Sequence, residues 1–469
     1  MNTRLRTPEE LEGTTEDRRL DPTLVIVVVA CLLPYINLGP ISTPSEIQPW
    51  GGILAWLWVG ARSLRTGVRI TPFQWLLLFF AGYFMVNVYG GEGFDPSLYL
   101  RRSGAYLLCA GIFLACQYLT PATLWRALKI ATPVWLMFGV LRYVDGAIYY
   151  AVVTPLVPNV FSSDSRGTSS LAPEATDFGF TMVFIVTLCM ITRRRLTQQG
   201  LRAEKWPIVT AVASVLISFS GTGYLGLAVI GSVYLLTSPA IKYGMVGRSL
   251  IALVVAASTV IIMSLLPSQS IRGVELLRLA IQDPISLMDT TTSYRIVHGT
   301  VGALGLVDSG YLGYGAGSFQ SEAVDVYYRH SLGGVFQLRN HYETNVPATL
   351  SNNPSSQIAV LLLEFGVVGV VYLLLIFGFA VRSRIPFKAI AVMILALAWL
   401  GSFPAAWPPF WLVIGIMMSP NFVNKKGLSH GESQPPEVAV QRRSPLAPKN
   451  GSRHHTGSTH PHWNGLASE

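Results

Sequence analysis

Apolar residues in this chain come in long blocks, separated by short polar breaks. A helix needs about 20 apolar residues to cross the hydrocarbon of a bilayer. Blocks of that order fall near residues 22–38, 46–61, 71–89, 103–119, 130–149, 175–192, 206–220, 222–238 and 249–266. They resume near 358–380, 386–401 and 403–419. The pattern predicts an all-α protein, a polytopic bundle of about twelve membrane helices. The blocks at 46–61, 206–220 and 386–401 are short for a full crossing.

The breaks define the organisation. Residues 1–21 form a polar tail with no apolar core behind its first charges, unlike a cleaved signal peptide, so the run from Thr23 is expected to stay as a helix. Residues 22–420 make the membrane domain, and 267–356 within it is one long outer segment. Connections of that length are usually functional. In it "GVELLRLAIQ" and "SYRIVHGTVGAL" read as helices and "GYLGYGAGSF" as glycine turns, so a small, partly helical cap over the outer face is expected. Residues 421–469 are rich in Ser, Pro, Gly and His and read as a disordered tail. Five of the eight histidines lie there, which suits a solvated tail better than a metal site.

Composition agrees with the pattern. Of 469 residues, 51% are hydrophobic and 13% charged, against roughly 25% charged in soluble domains. That deficit argues against a soluble globular chain. The net charge of +9 then reads as loop charge that sets orientation, not as a nucleic-acid surface. With the N-terminus cytoplasmic, all seven lysines fall inside: Lys129, Lys205, Lys242, Lys388, Lys425, Lys426 and Lys449. Both termini are therefore expected in the cytoplasm. The outer side keeps arginines only, including Arg101, Arg102, Arg166, Arg272, Arg278, Arg295, Arg329 and Arg339. Cys31, Cys109, Cys116 and Cys189 all sit in apolar blocks and read as small packers.

Candidate chemistry gathers in the outer segments. "SSDSRGTSSLAPEATDFGF" places Arg166 and Glu174 at the lip of an apolar block. An arginine fork suits phosphate or carboxylate. Glu174 reads either as a functional carboxylate or as a helix-start residue favoured by the dipole, and Asp177 one turn on fits both readings. Arg295 and His298 lie three apart, on one face of a helix, and for His298 a polar outer face is the simpler reading. "YYRHSLGGVFQLRNHYETN" collects Arg329, His330, Arg339 and His341 with Tyr327, Tyr328 and Tyr342, a mixture that suits sugars and phosphates or a membrane interface. No metal-ligand spacing or phosphate-binding glycine loop is present.

Four features together resemble the O-antigen ligase/polymerase superfamily of bacterial envelope polysaccharide enzymes, across most of residues 22–420. They are the dozen spans, the "SRGTSSLAPEATDFGF" lip, the outer loop with "SYRIVHG" and "GYLGYGAGSF", and the exit "NNPSSQIAVLLLEFGVVGVVYLLL". The resemblance implies a glycan carried on undecaprenyl pyrophosphate at the outer leaflet of the bacterial cytoplasmic membrane, moved to an acceptor hydroxyl without metal or cofactor. By that analogy Arg166 and Arg295 stabilise the leaving pyrophosphate, with Arg329, Arg339, Tyr294 and Tyr342 binding substrate. Glu174 or His341 takes the acceptor proton. A flippase and a chain-length regulator are the implied protein partners. Asn352-Asn353 stands where many members, ligases especially, have His-Asn, which favours a polymerase over a ligase. A lipid-linked sugar transporter and a membrane scaffold remain as other classes.

Overall fold

The computed structural model describes residues 21–37, 46–91, 95–158, 160, 167–237, 291–335, 350, 356–400 and 407–423, with isolated positions between 244 and 254. The expected span at 249–266 lies mostly outside these residues. So do "GVELLRLAIQ" and the tail beyond residue 423.

Helix starts are written plainly in the chain. Four times an Asp or Thr precedes a proline at the first turn: Asp21-Pro22, Thr71-Pro72, Asp95-Pro96 and Thr120-Pro121. The Asp or Thr side chain accepts from exposed amides of the first turn, and proline there sacrifices no hydrogen bond. These pairs open α1 (Pro22–Leu32), α3 (Pro72–Val86), α4 (Pro96–Cys116) and α5 (Pro121–Val144), with α2 (Trp50–Thr66) between the first two. The chain continues through α6 (Gly146–Val153), α7 (Ala175–Gln198), α8 (Trp206–Ile217) and α9 (Gly221–Thr237). The later helices are α10 (Thr291–Asp308), α11 (Phe319–Arg329), α12 (Leu332–Val335), α13 (Gln357–Arg382), α14 (Lys388–Leu400) and α15 (Pro408–Met418). Among the described residues there is no strand, only an isolated bridge between Val88 and Ala316.

The protein is thus mostly helical. Among the described residues three helices, α5, α7 and α13, are long and apolar enough to cross a membrane. The inner lining of the bundle is set by α7: 83% of its apolar window is buried, against 44% and 50% for α5 and α13. Its aromatic residues pack against neighbours, with Phe178 stacked on Trp135 and Phe184 edge-on to Trp407. A second, smaller core of Val297, Val301, Phe319, Val326 and Leu363 joins α10 and α11 to the start of α13.

Hydrogen bonds sort the connections into two ends. Gln117 Nε2 donates to the Arg69 carbonyl at 2.7 Å, and Asn421 Nδ2 to the Leu119 carbonyl at 3.2 Å. Arg195 Nη2 donates to the Val423 carbonyl, and Lys129 pairs with Glu204 at 2.7 Å. That end carries Arg62, Arg65, Arg69, Lys129, Arg193, Arg194 and Lys205. At the other end the Gln48 amide donates to the Pro34 carbonyl and the Asn37 amide to the Leu156 carbonyl, both at 2.7 Å.

The block at 358–380 is helical as expected, and α13 is broken at Gly366 (φ 57°, ψ −138°). One expectation is corrected. His298 is not on a polar outer face. It is fully buried in the smaller core, 6.1 Å from the Phe319 ring, because α10 turns this face toward α11 and α13. Its burial pushes the imidazole pKa down to about 4.

Candidate functional site

The stretch ahead of α7 is clamped. Thr168, Ser169, Ser170, Leu171 and Ala172 are all buried. Tyr149 of α6 donates its hydroxyl to the Ser170 carbonyl at 2.6 Å, and Ser170 Oγ donates to the Trp135 carbonyl at 2.6 Å. Arg142 Nη1 reaches Ser169 Oγ at 3.3 Å. Gly167 takes φ 78°, and a Cβ there would stand 2.4 Å from the Ser218 carbonyl oxygen. The lip is therefore a fixed strap over α5, α6 and the turn before α9. Ordinary loop polarity would have left these hydroxyls in water.

Glu174 occupies the N-cap position of α7 in extended backbone, and its side chain makes no capping hydrogen bond. That position agrees with the helix-start reading, in which the dipole favours a carboxylate. Its charge is also felt by Glu46, in the connection before α2, and by Asp177 in the first turn of α7. Burial pushes the Glu46 carboxyl up, Glu174 pushes it further, and Arg101 opposes both. Arg101 lies two turns into α4, where Asp95 also faces it.

The next residue of α4 reaches a different carboxylate. Arg102 Nη1 forms an ion pair with Glu364 Oε1 of α13, with side chains 12% and 0% exposed. Glu364 Oε1 also accepts from the Phe319 amide at 3.2 Å, which opens α11. A carboxylate at a helix N-terminus meets the positive end of the helix dipole. Glu364 thereby ties α4, α11 and α13 at one point.

The break in α13 lies two residues past Glu364. Past Gly366 the helix folds back, so that a Cβ on Gly369 would stand 2.3 Å from the Leu361 carbonyl oxygen. In a straight helix eight residues advance about 12 Å. Such a break strands backbone groups that apolar surroundings cannot satisfy. The glycine-rich run satisfies them. The Val367 amide donates to the Tyr311 carbonyl at 2.8 Å. The Tyr314 and Gly315 amides donate to the Leu363 and Glu364 carbonyls at 2.9 and 2.8 Å. Gly313 and Gly315 sit at φ 80° and 100°, with backbone pressed against their Cα faces. On its other side the run pairs with the end of α3: the Ala316 amide donates to the Asn87 carbonyl at 2.8 Å. Tyr89 adds a bond from its hydroxyl to Glu322 Oε1 at 2.7 Å.

Of the residues singled out in the sequence, Glu174 stands in this region. Tyr294 and Arg295 fall near the start of α10. Arg329 pairs with Asp308 Oδ2 at 2.8 Å, and His330 Nε2 shares that carboxylate at 3.1 Å, so both fasten α11 to the end of α10. Arg166, Arg339, His341 and Tyr342 lie outside the described residues, as do Asn352 and Asn353. Sequence reasoning gave no role to Glu46, Arg101, Arg102 or Glu364. For Glu364 a signal was present: a lone carboxylate eight residues into a 26-residue apolar helix, directly before a glycine. Arg102 had none, because its partner is 262 positions away.

The arrangement offers fixed guanidinium groups and carboxylates at one end of an apolar bundle. Such groups can bind anions and sugar hydroxyls and can accept a proton. Among the described residues no group of three or more His, Cys, Asp or Glu is placed to hold a metal ion. The four cysteines are buried and unpaired with one another. No family model matches this sequence, and no curated protein matches it.

Proposed function

We propose that this protein is a polytopic enzyme of the bacterial cytoplasmic membrane that polymerises undecaprenyl-pyrophosphate-linked oligosaccharide units at the outer face. In this reading about twelve helices cross the bilayer, with the lysine-bearing end in the cytoplasm. The observation that carries the reading is the junction of Arg102, Glu364 and the glycine-rich run at the break of α13. Irregular backbone inside an apolar bundle is tolerated only where it is buried in protein or lines a cavity. This one lies at the end opposite Lys129 and Lys205, beside Glu46, Arg101 and Glu174.

The transfer itself breaks the bond between the sugar C1 and the phosphate oxygen of the donor. It forms a bond from C1 to the acceptor hydroxyl oxygen. The hydroxyl proton passes to a general base, for which the Glu174 carboxylate is the described candidate and the His341 imidazole the other. The lipid pyrophosphate leaves with added negative charge, which Arg166 and Arg295 stabilise as fixed cations. Arg339, Tyr294 and Tyr342 complete the substrate contacts in this reading, while Arg329 contributes through Asp308.

The same break supports a second reading, a transporter of lipid-linked sugars, since broken helices commonly frame transport sites. Gel analysis of glycan from a strain lacking the protein separates them. Collapse from long chains to one repeat unit supports the polymerase. Full-length glycan stranded on its lipid carrier makes the protein a ligase. Repeat units trapped on the cytoplasmic leaflet make it a transporter, and an unchanged ladder sinks all three for that glycan.

A further inference from the structure

Buried ion pairs are poor stabilisers. Desolvation offsets most of the attraction, and apolar residues of similar volume often serve the fold as well. The Arg102–Glu364 pair therefore asks for a reason other than stability. Its geometry is also incomplete. Arg102 commits Nη1 to Glu364, and its guanidinium carbon lies 5.9 Å from the Phe319 ring centroid. Glu364 Oε2 and Ser318 Oγ are buried without a hydrogen-bond partner among the described residues. A junction built only to close the fold would pair these atoms. The Arg102 side chain stays 12% exposed, whereas that of Glu364 is fully buried. Beside it Arg101 is exposed at the same end of α4.

We infer that Arg101 and Arg102 form a subsite for a lipid-borne pyrophosphate headgroup, and that Glu364 is a positioning residue which acts through Arg102. This rests on the lipid-pyrophosphate reading above and adds residues to it. Glu364 orients the guanidinium by one charge-assisted bond and leaves the remaining N–H donors for a phosphate oxygen. The Phe319 amide anchors Glu364 in turn, and the glycine-rich run holds the broken helix that presents it. A pyrophosphate arriving at the end of α4 thus meets two adjacent guanidinium groups, one of them already fixed. Arginine suits the task because its planar fork binds two phosphate oxygens, where lysine offers one point charge.

The test is direct binding of farnesyl pyrophosphate to the purified full-length protein in lipid nanodiscs. Farnesol and inorganic pyrophosphate serve as comparison ligands, and thermal unfolding without ligand is recorded for each variant. The wild type is expected to bind farnesyl pyrophosphate and not farnesol. Arg102→Lys and Glu364→Gln are each expected to weaken binding about tenfold or more; Arg102→Lys should unfold within a few degrees of wild type, and Glu364→Gln should remain folded at a lower unfolding temperature, since it breaks a buried pair. Glu364→Asp, which keeps the charge, should recover part of the loss. Unchanged affinity in a folded Glu364→Gln overturns the positioning role, and equal binding of farnesol overturns the headgroup site. Equal affinity for inorganic pyrophosphate overturns the lipid-borne source and reassigns the subsite to free anion. If Glu364→Gln does not fold, Arg102→Lys alone decides, since it retains the ion pair; unchanged affinity there overturns the subsite. Binding that depends on Arg102 in a protein whose loss leaves the glycan ladder intact would keep the subsite and sink the polymerase reading. A collapsed ladder with binding indifferent to these residues would do the reverse.

Discussion

The Tyr311 carbonyl accepts a hydrogen bond from the Val367 amide at 2.8 Å, directly after the break at Gly366. The glycine-rich run and the broken helix are therefore one structure, each satisfying what the other leaves open. Gly366 is the residue least able to change. A Cβ there would lie 2.2 Å from the Tyr311 oxygen, in a backbone conformation that L side chains rarely adopt. Gly366→Ala is expected to cost about 3 kcal/mol or more, read as a large fall in unfolding temperature in detergent. Gly378→Ala, with open space around its Cα in the same helix, should be neutral or slightly stabilising.

The strap before α7 separates stability from activity. Tyr149→Phe removes the hydroxyl that holds Ser170 and leaves a buried carbonyl short of a donor. A loss of about 1–3 kcal/mol is expected, visible in unfolding. Glu174→Ala should cost less than about 1 kcal/mol in unfolding, because the side chain makes no capping hydrogen bond to α7 and loses only its favourable place at the helix dipole. Under the polymerase reading it should shorten the glycan ladder at normal protein level. A large drop in protein level for Glu174→Ala would return this residue to a structural role.

His298 makes stability depend on pH. Its burial favours the neutral imidazole, with a pKa of about 4 in the fold against 6.5 for an ordinary histidine. Between these values the unfolded chain binds more protons, so stability rises with pH. The contribution is complete above pH 6.5 and is lost as pH falls toward 4. It amounts to about 3 kcal/mol across that window. His298→Leu should flatten the profile between pH 6.5 and 4. A wild-type profile already flat there would refute the buried neutral histidine.

Asp308 fastens the end of α10 to Arg329 and His330. Asp308→Asn should release α11 locally. Arg329 is half exposed, so the expected cost is below about 1 kcal/mol, with faster proteolysis around residues 329–331 as the clearer measure. Unaltered cleavage would show that Glu322 and Glu364 hold α11 without this contact.

Much of the fold was legible because it rests on local rules. Block lengths and the apolar pattern depend on neighbours within a turn or on the solvent each segment meets. The helices α2, α3, α7, α8 and α13 accordingly begin within a few residues of the blocks that predicted them. Glycines in "GYLGYGAGSF" were readable as turns for the same reason. What remained hidden depended on distance along the chain. Nothing around Arg102 announces Glu364, and nothing around Glu46 announces Glu174. Periodicity marked 358–380 as helix but could not show the fold-back at Gly366, since a helix breaks there only because the glycine-rich run supplies its missing hydrogen bonds. His298 went astray in the same way: its helix face was evident, but whether that face met water was decided by α11 and α13. The sequence by itself determined which segments are helical and which residues carry charge, because those are properties of short stretches. Only the tertiary structure decided which charges meet, because the low-polarity interior that makes those meetings matter is assembled from the whole chain.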